Sequence, residues 1–316
     1  MEPYLNSDRI MDSEYITLRS GIEIPKIGFG PGLMGYSAKM RKRRGKIWNF
    51  LFRVYNKIYL RNSQKKKFIK SISAALKNGF RLLDYADAYG NQELIGEAIR
   101  KSGIPRDKLF LTARISNGTQ FRGDVRKQFM STLKKMGVEY VDLLQFHWPV
   151  TDHYVDTWKE MLRLKEKGYV RVLGVANCHK HHLETLEKET GVLPEINQIE
   201  VHPLFTQKAL LNYCHLKGIT VEAYTPVARY DDRLVRLPLL KCLEKKYEKT
   251  FVQIILRWHV QNGVIPVVRA MNPKHQRDNI DIFDFELTKE DMNVIDSLNL
   301  DSRLRYSPDN CDFTIL

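Results

Sequence analysis

The amino-acid sequence predicts an α/β protein folded as a (β/α)8 (TIM) barrel, and three observations carry this prediction. Short apolar runs of strand length alternate with longer amphipathic segments, and eight such strands can be counted from Lys26 onward. No low-complexity linker divides the alternation. A chain of 316 residues also has the usual length of such a barrel. We therefore expect a single barrel domain over residues 1–316.

The individual elements follow from turn signals and periodicity. Residues 15–30 predict an N-terminal β-hairpin around a Ser20-Gly21 turn and then the first barrel strand, which ends near Gly30. The other strands are predicted at residues 81–83, 109–112, 141–146, 170–175, 196–201, 220–223 and 264–268. Helices are predicted at residues 68–78, 92–101, 124–136, 157–167, 181–189, 207–216, 239–248 and 251–261. A further helix opens after Asn272, a suitable N-cap, with Pro273 in its first turn.

Composition and cysteine spacing limit the class of protein. Hydrophobic residues make up 43% of the chain and charged residues 28%, as in globular domains. Residues 1–14 contain four acidic residues and no apolar run, so we expect no secretory signal, and no stretch is long enough for a membrane-spanning helix. The cysteines are widely spaced without a CxxC pair, which argues against a disulfide framework or a metal site. These features favour a cytoplasmic location.

The positive charge of the chain is concentrated in one segment. Between Tyr36 and Lys67 there are twelve Lys or Arg residues and no Asp or Glu, so removing them from the net charge of +14 leaves only +2. Within this segment, residues 46–61 place apolar and aromatic side chains on one side at helical spacing, and basic side chains on the other. We predict a basic amphipathic insertion, residues 36–67, after the first barrel strand and at the catalytic rim.

Three roles for this insertion stay open. It could be a lid helix whose apolar face packs on the barrel and whose basic face is merely solvated. It could lie in an anionic membrane surface through residues 39–67, since each Lys or Arg near such a surface contributes about 1 kcal/mol. It could also capture an anionic substrate. A nucleic-acid partner is not expected, because no nucleic-acid-binding fold is apparent.

Two motifs at strand ends identify a family. Residues 79–92 read G-F-R-L-L-D-Y-A-D-A-Y-G-N-Q and pass from a strand into a helix, and residues 142–149 read D-L-L-Q-F-H-W-P. Both resemble signatures of the aldo-keto reductases, and the resemblance extends from Tyr15 to about Asn299 apart from the basic insertion. It implies an NAD(P)H-dependent oxidoreductase that reduces an aldehyde or ketone to an alcohol at the carboxyl ends of the barrel strands.

The resemblance implies a catalytic tetrad of Asp84, Tyr89, Arg114 and His147. Tyr89 would donate the proton and His147 would polarise the carbonyl group. Arg114 stands where the family has a lysine. Arginine can pair with Asp84 and can still favour the phenolate of Tyr89, but it cannot release a proton. Taken singly, Asp84 would be interpreted as a helix cap, Tyr89 as a core aromatic residue and His147 as a buried histidine. The register of the four residues at the ends of three successive strands favours the catalytic interpretation.

The resemblance also implies how a nicotinamide cofactor would bind. Asn177 and Gln198 would hold the carboxamide, and Tyr224, followed by Thr225, would stack on the nicotinamide ring. Further candidate residues for the adenosine end are Arg269, Asn272, Lys274, His275 and Asn279. His275 replaces the arginine that grips the 2′-phosphate of NADPH, but Arg269 and Lys274 could take its place. NADPH is therefore favoured, and NADH stays open.

The substitution at Arg114 leaves a rival interpretation from another class. The chain could be a catalytically degenerate barrel that binds the cofactor as a scaffold or regulatory subunit, with or without association to a membrane surface. If it is an enzyme, we expect a monomer that acts on a small-molecule carbonyl compound.

Overall fold

The structure is a computed structural model that describes residues 14–32 and 61–314. Its centre is a closed barrel of eight parallel strands, in which the last strand pairs with the first. The barrel strands are β3 (Gly28–Phe29), β4 (Leu82–Asp84), β5 (Phe110–Ile115), β6 (Val141–Phe146), β7 (Val170–Ala176), β8 (Ile196–Glu200), β9 (Thr220–Tyr224) and β10 (Val264–Val268). The predicted (β/α)8 fold class is confirmed.

The predicted N-terminal hairpin is also present. It consists of β1 (Tyr15–Thr17) and β2 (Glu23–Pro25), which pair antiparallel. Leu18 and Ile24 from this hairpin join a buried apolar cluster with Leu82 and Phe110, the first residues of β4 and β5. The hairpin therefore closes the amino-terminal end of the barrel and leaves the carboxyl ends of the strands as the open face.

Helices surround the barrel. They are α1 (Arg61–Lys77), α2 (Gln92–Ser102), α3 (Asn117–Arg122), α4 (Val125–Met136), α5 (Tyr154–Glu166), α6 (Lys180–Thr190), α7 (Lys208–Leu216), α8 (Asp232–Val235), α9 (Pro238–Tyr247), α10 (Phe251–Gln261), α11 (Pro273–Ile280) and α12 (Lys289–Asp296). Most predicted helices agree with these within three residues. The short helices α3 and α8 and the helix α12 were not predicted, because each is too short for periodicity to reveal it.

One predicted boundary is wrong, and another prediction lies outside the described residues. Helix α1 begins at Arg61, not at residue 68, so the lysines at 65–67 lie inside it. No Gly or Pro interrupts residues 61–77, and the apolar face carries Phe68 and Ile72, both buried. The basic amphipathic helix predicted at residues 46–61 lies, except for its last residue, outside the described part of the chain.

The main core lies between the barrel and its helices, where most of the buried apolar side chains pack together. Phe29 of β3 contacts Phe80, for example, with 5.6 Å between the ring centroids. Among the described residues, no helix has the combined length and apolar character needed to cross a membrane.

Candidate active site

The carboxyl ends of three neighbouring strands bring the predicted tetrad together. Asp84 is the last residue of β4, Arg114 lies in the second half of β5, and His147 directly follows β6. Tyr89 ends a 3-10 turn, Asp87–Tyr89, that follows β4. This turn closes at Gly90, whose left-handed φ of 61° suits glycine. The chain then enters α2, so the side chain of Tyr89 stays at the open face.

A buried ion pair joins two members of the tetrad. The Nη2 of Arg114 donates to Oδ1 of Asp84 in a short contact, and only 5% of the Arg114 side chain and 9% of the Asp84 side chain are exposed. The Nη1 of Arg114 donates to Oε1 of Gln198 at 2.8 Å. The two terminal nitrogens of the guanidinium therefore donate to two different partners. The ammonium group of a lysine could bond both partners only with a less fixed geometry.

Tyr89 and His147 contact each other beside this ion pair. Their ring centroids lie 6.4 Å apart at an interplanar angle of 88°. Burial raises the pKa of Tyr89 above its ordinary value, and the positive charge of Arg114 opposes this rise. Burial, together with the charges of Arg114 and Arg305, lowers the pKa of His147 to about 3. At neutral pH the site therefore holds a protonated phenol next to a neutral imidazole.

The predicted nicotinamide side of the site lies on β7, β8 and β9. Asn177, after β7, donates from Nδ2 to the backbone oxygen of His147 at 2.9 Å and accepts from the hydroxyl of Tyr224 at 2.8 Å. Asn177 and Thr225 have left-handed φ angles of 59° and 50°. Such conformations are uncommon for residues other than glycine and concentrate at functional sites.

These residues fit a carboxamide and a ring. Asn177 keeps one amide hydrogen and one oxygen lone pair beyond the bonds it makes. The hydroxyl oxygen of Thr225 is buried and has no hydrogen-bond partner among the described residues, as expected for a group that meets a ligand. Gln198 is more constrained: its Nε2 donates to Glu222 at 2.9 Å and to Asp84 at 3.3 Å, while its Oε1 accepts from Arg114. Only the second lone pair of Oε1 is left for a cofactor.

The candidate adenosine end lies at the start of α11. Asn272 caps this helix, because its side-chain oxygen accepts from the backbone N–H of Lys274 at 2.9 Å. Arg269, Lys274 and His275 are exposed here, whereas Asn279 is buried. An exposed helix start beside basic side chains is suited to phosphate groups.

Sequence reasoning missed Arg305, a charged residue that acts on the tetrad. The backbone N–H groups of Leu304 and Arg305 donate to the carboxylate of Glu200 at 2.5 and 2.9 Å, which ties the C-terminal tail to the end of β8. The charge of Arg305 consequently acts on Tyr89 and His147. No signal in the sequence could have placed this arginine, because a contact across 105 residues depends on the closed barrel.

Comparison with known proteins agrees with this geometry. The model of the Aldo/keto reductase family matches residues 56–300. The chain therefore belongs to the aldo-keto reductase family and is an NAD(P)H-dependent oxidoreductase that reduces carbonyl groups of small molecules. It is 39% identical over 244 residues to the glyoxal reductase of Bacillus subtilis, covering 77% of this chain and 88% of that protein.

Two further similarities concern substrate and cofactor. The chain is 36% identical over 249 residues to the methylglyoxal reductase DkgA of Escherichia coli, which covers 78% of this chain and 90% of that one. A Bombyx mori aldo-keto reductase solved in complex with NADP matches 93% of this chain and 95% of its own, at a TM-score of 0.79 and 29% identity. A nicotinamide cofactor is accordingly part of this family's chemistry.

Proposed function

We propose that this protein is a monomeric, NADPH-dependent reductase of small aldehydes, with α-oxoaldehydes as the substrate class. The observation that carries the proposal is the edge-to-face contact of Tyr89 and His147 beside the buried pair of Arg114 and Asp84. The substrate class follows from the similarity to a glyoxal reductase and a methylglyoxal reductase. A hydroxyl and an imidazole held next to each other at the open face of the barrel can share a carbonyl oxygen as it becomes an alkoxide.

Each member of the tetrad has a separate task in this proposal. Tyr89 donates a proton to the carbonyl oxygen, and its raised pKa keeps the phenol protonated until then. The neutral His147 hydrogen-bonds the same oxygen and orients the substrate. Arg114, held by Asp84, stabilises the phenolate that forms on Tyr89. Arg114 itself keeps its proton throughout.

Bound NADPH supplies the hydride. Asn177 and the remaining lone pair on Gln198 would hold its carboxamide, Tyr224 would lie against the ring, and the hydroxyl of Thr225 would gain its missing partner. The exposed Arg269, Asn272, Lys274 and His275, with the buried Asn279, would receive the adenosine end. The preference for NADPH rests on the basic side chains at this helix start and on the family's NADP complexes.

Replacement of Tyr89 by phenylalanine tests the proton donor. We expect Tyr89→Phe to lower kcat for methylglyoxal by about 10²- to 10⁴-fold, the usual contribution of a positioned acid, because only the hydroxyl is lost. The measurement is the rate of NADPH oxidation across a panel of aldehydes, ketones and sugar phosphates, with NADH run in parallel. Tyr140→Phe is the matched control, since Tyr140 precedes β6 at the opposite end of the barrel. Equal rates for the two variants would contradict the proposed role of Tyr89.

A second candidate function is a cofactor-binding scaffold without turnover. One observation favours it. The amide of Gln198 already bonds Arg114, Asp84 and Glu222, so only one lone pair of its oxygen is left for a cofactor. Binding of NADPH in a fluorescence titration, with no reduction of any carbonyl compound in the panel, would select this function.

We further propose that the basic segment at residues 39–67 brings the protein to anionic membrane surfaces. The proposal is motivated by the twelve basic residues without an acidic one between Tyr36 and Lys67.

A further inference from the structure

A layer of buried polar side chains lies next to the tetrad inside the barrel. Gln145 of β6 and Gln198 of β8 both donate to Oε2 of Glu222 on β9, at 3.2 and 2.9 Å. None of the three side chains is more than 1% exposed. Gln145 has room to reach Glu222 because its neighbour in β7 is Gly174, where a Cβ would lie 3.1 Å from Cγ of Gln145.

This layer is joined to the tetrad by Gln198. The same amide that donates to Glu222 accepts from Nη1 of Arg114. A chain of direct hydrogen bonds therefore runs from Glu222 through Gln198 to Arg114, and from there to Asp84 beside Tyr89. A change at Glu222 is thereby transmitted to the group that stabilises the phenolate.

The surroundings of Glu222 favour its acid form, because the effect of burial outweighs the two amide hydrogen bonds, which favour the ionised form. Both amide donors converge on Oε2, whereas Oε1 is buried without a partner among the described residues. An ionised carboxylate with one bare oxygen is costly inside a protein, but a carboxylic acid can carry its proton on Oε1 and keep Oε2 as the acceptor. Arg114 also brings one positive charge to two carboxyl groups, Asp84 and Glu222.

We propose that Glu222 is a positioning residue of the reductase: it holds Arg114 in place through Gln198, and its own proton keeps the buried cluster electrically neutral. The proposal rests on the proposed role of Tyr89 as proton donor. When Glu222 loses its proton, the cluster of Asp84, Arg114 and Glu222 gains a net negative charge. Negative charge disfavours a phenolate at Tyr89, so proton donation slows.

The pH range of this effect follows from the groups that face Glu222. They are Asp84 from β4 and Arg114 from β5, together with the neutral amides Gln145 and Gln198. Burial raises the pKa of Glu222 to about 7, with a contribution from the negative charge of Asp84. The reduction rate is therefore highest below this pH and falls as pH rises through it.

The test is the pH profile of kcat, from about pH 5.5 to about pH 8.5, for the full chain with NADPH and its best carbonyl substrate. We expect kcat of the parent to fall about three- to tenfold across this range, and the fall to be absent in Glu222→Gln, which stays neutral. Glu195→Gln is the matched control, because Glu195 is a buried glutamate that accepts from Ser20 of the N-terminal hairpin. It should keep the parent profile.

A second variant distinguishes the titration of Glu222 from a structural effect of the Glu222→Gln replacement. Gln145→Leu removes one donor to Glu222, which favours the acid form further, so the midpoint of the fall should move to higher pH. The proposal would be overturned if kcat of Glu222→Gln and of Gln145→Leu fell with the same midpoint as kcat of the parent. A parent profile that is flat over the range would overturn it as well.

Thermal unfolding separates this proposal from the catalytic one. Because the pKa of Glu222 is higher in the folded chain than the ordinary 4.5, the folded state binds this proton more tightly. The free energy of unfolding of the parent should then decrease as pH rises from about 4.5 through about 7, relative to Glu222→Gln. If this difference is seen but no carbonyl compound is reduced, the proposed function fails and the protonation of Glu222 stands. Full turnover without the difference, and without a fall in the kcat profile, rejects the role of Glu222.

Discussion

Arg114 is the residue of the tetrad at which this chain departs from the aldo-keto reductase motifs, because the family has a lysine at this position. A guanidinium is longer than an ammonium and offers donors in a fixed fork. Here one arm of the fork reaches Asp84 and the other reaches Gln198. Gln198 thereby becomes a support for Arg114 as well as a candidate ligand of the cofactor. The substitution thus has an effect on the nicotinamide side of the site, beyond the charge beside Tyr89.

Two replacements of Arg114 separate the effect of its positive charge from the effect of its hydrogen bonds to two partners. Arg114→Lys keeps the positive charge but cannot hold Asp84 and Gln198 with the same fork, so both lone pairs of Oε1 of Gln198, instead of one, become available to the carboxamide. We expect the KM for NADPH to fall about threefold or more, with kcat retained within about tenfold. Arg114→Met should lose at least about a hundredfold in kcat, because the phenolate of Tyr89 loses its countercharge.

Steady-state kinetics with varied NADPH measure both effects. Arg171→Lys is the matched control, since Arg171 pairs with Asp142 at the other end of the barrel and is exposed. Activity of Arg114→Met equal to that of the parent would show that the charge of Arg114 has no part in the reaction.

Single residues also show where sequence reasoning stops. Asp84, Tyr89, Arg114 and His147 could be selected because each ends a predicted strand or follows one in a recognisable motif. Glu222 could not, although it lies in a predicted strand. Its importance comes from the side chains that face it across the barrel interior, and no local pattern records that contact.

At the scale of elements, close helix packing explains one glycine. Gly96 lies inside α2 at the point where this helix crosses the end of α4. A Cβ at Gly96 would lie 2.0 Å from the backbone oxygen of Met136, which cannot move without displacing the helix. Glycine is normally unfavourable inside a helix by about 1 kcal/mol, so its presence here reflects the need for close approach.

Alanine at Gly96 should therefore destabilise the fold despite its better helix propensity. We expect Gly96→Ala to lower the free energy of unfolding by about 2 kcal/mol, the usual effect of overpacking, as measured by chemical denaturation. Gly118→Ala in α3 is the matched control, because its Cβ would meet only the flexible end of Arg122 at 3.3 Å. That variant should be neutral or gain up to about 1 kcal/mol. Equal stability of both variants would contradict the packing argument.

The whole molecule combines a barrel of nearly balanced charge with one strongly basic segment. Helix α1 (Arg61–Lys77) contains the lysines at 65–67, so a deletion of residues 39–60 leaves all the described residues of this helix in place. We expect the parent to sediment with vesicles of phosphatidylserine and phosphatidylcholine, and the deletion variant to stay in the supernatant, because each basic residue contributes about 1 kcal/mol at an anionic surface.

A charge control makes this experiment specific. Lys134 and Lys135 lie together in the last turn of α4, so their replacement by glutamine removes two positive charges elsewhere on the molecule. That variant should sediment like the parent, and neither should sediment with phosphatidylcholine alone. Equal sedimentation of the parent and the deletion variant would exclude a role for residues 39–60 at membranes.

The sequence by itself determined the barrel fold, and its motifs selected four residues that the structure brings together at the carboxyl ends of the strands. It could do so because strand and helix periodicities are local, and because the motifs lie within single strand–helix junctions. Only the tertiary structure decided which side chains support that site. The bonds of Gln198 to Arg114 and Glu222, and the anchoring of Arg305 by Glu200, join strands and tail far apart in the chain. Closure of the barrel creates these contacts, and no spacing in the sequence encodes them.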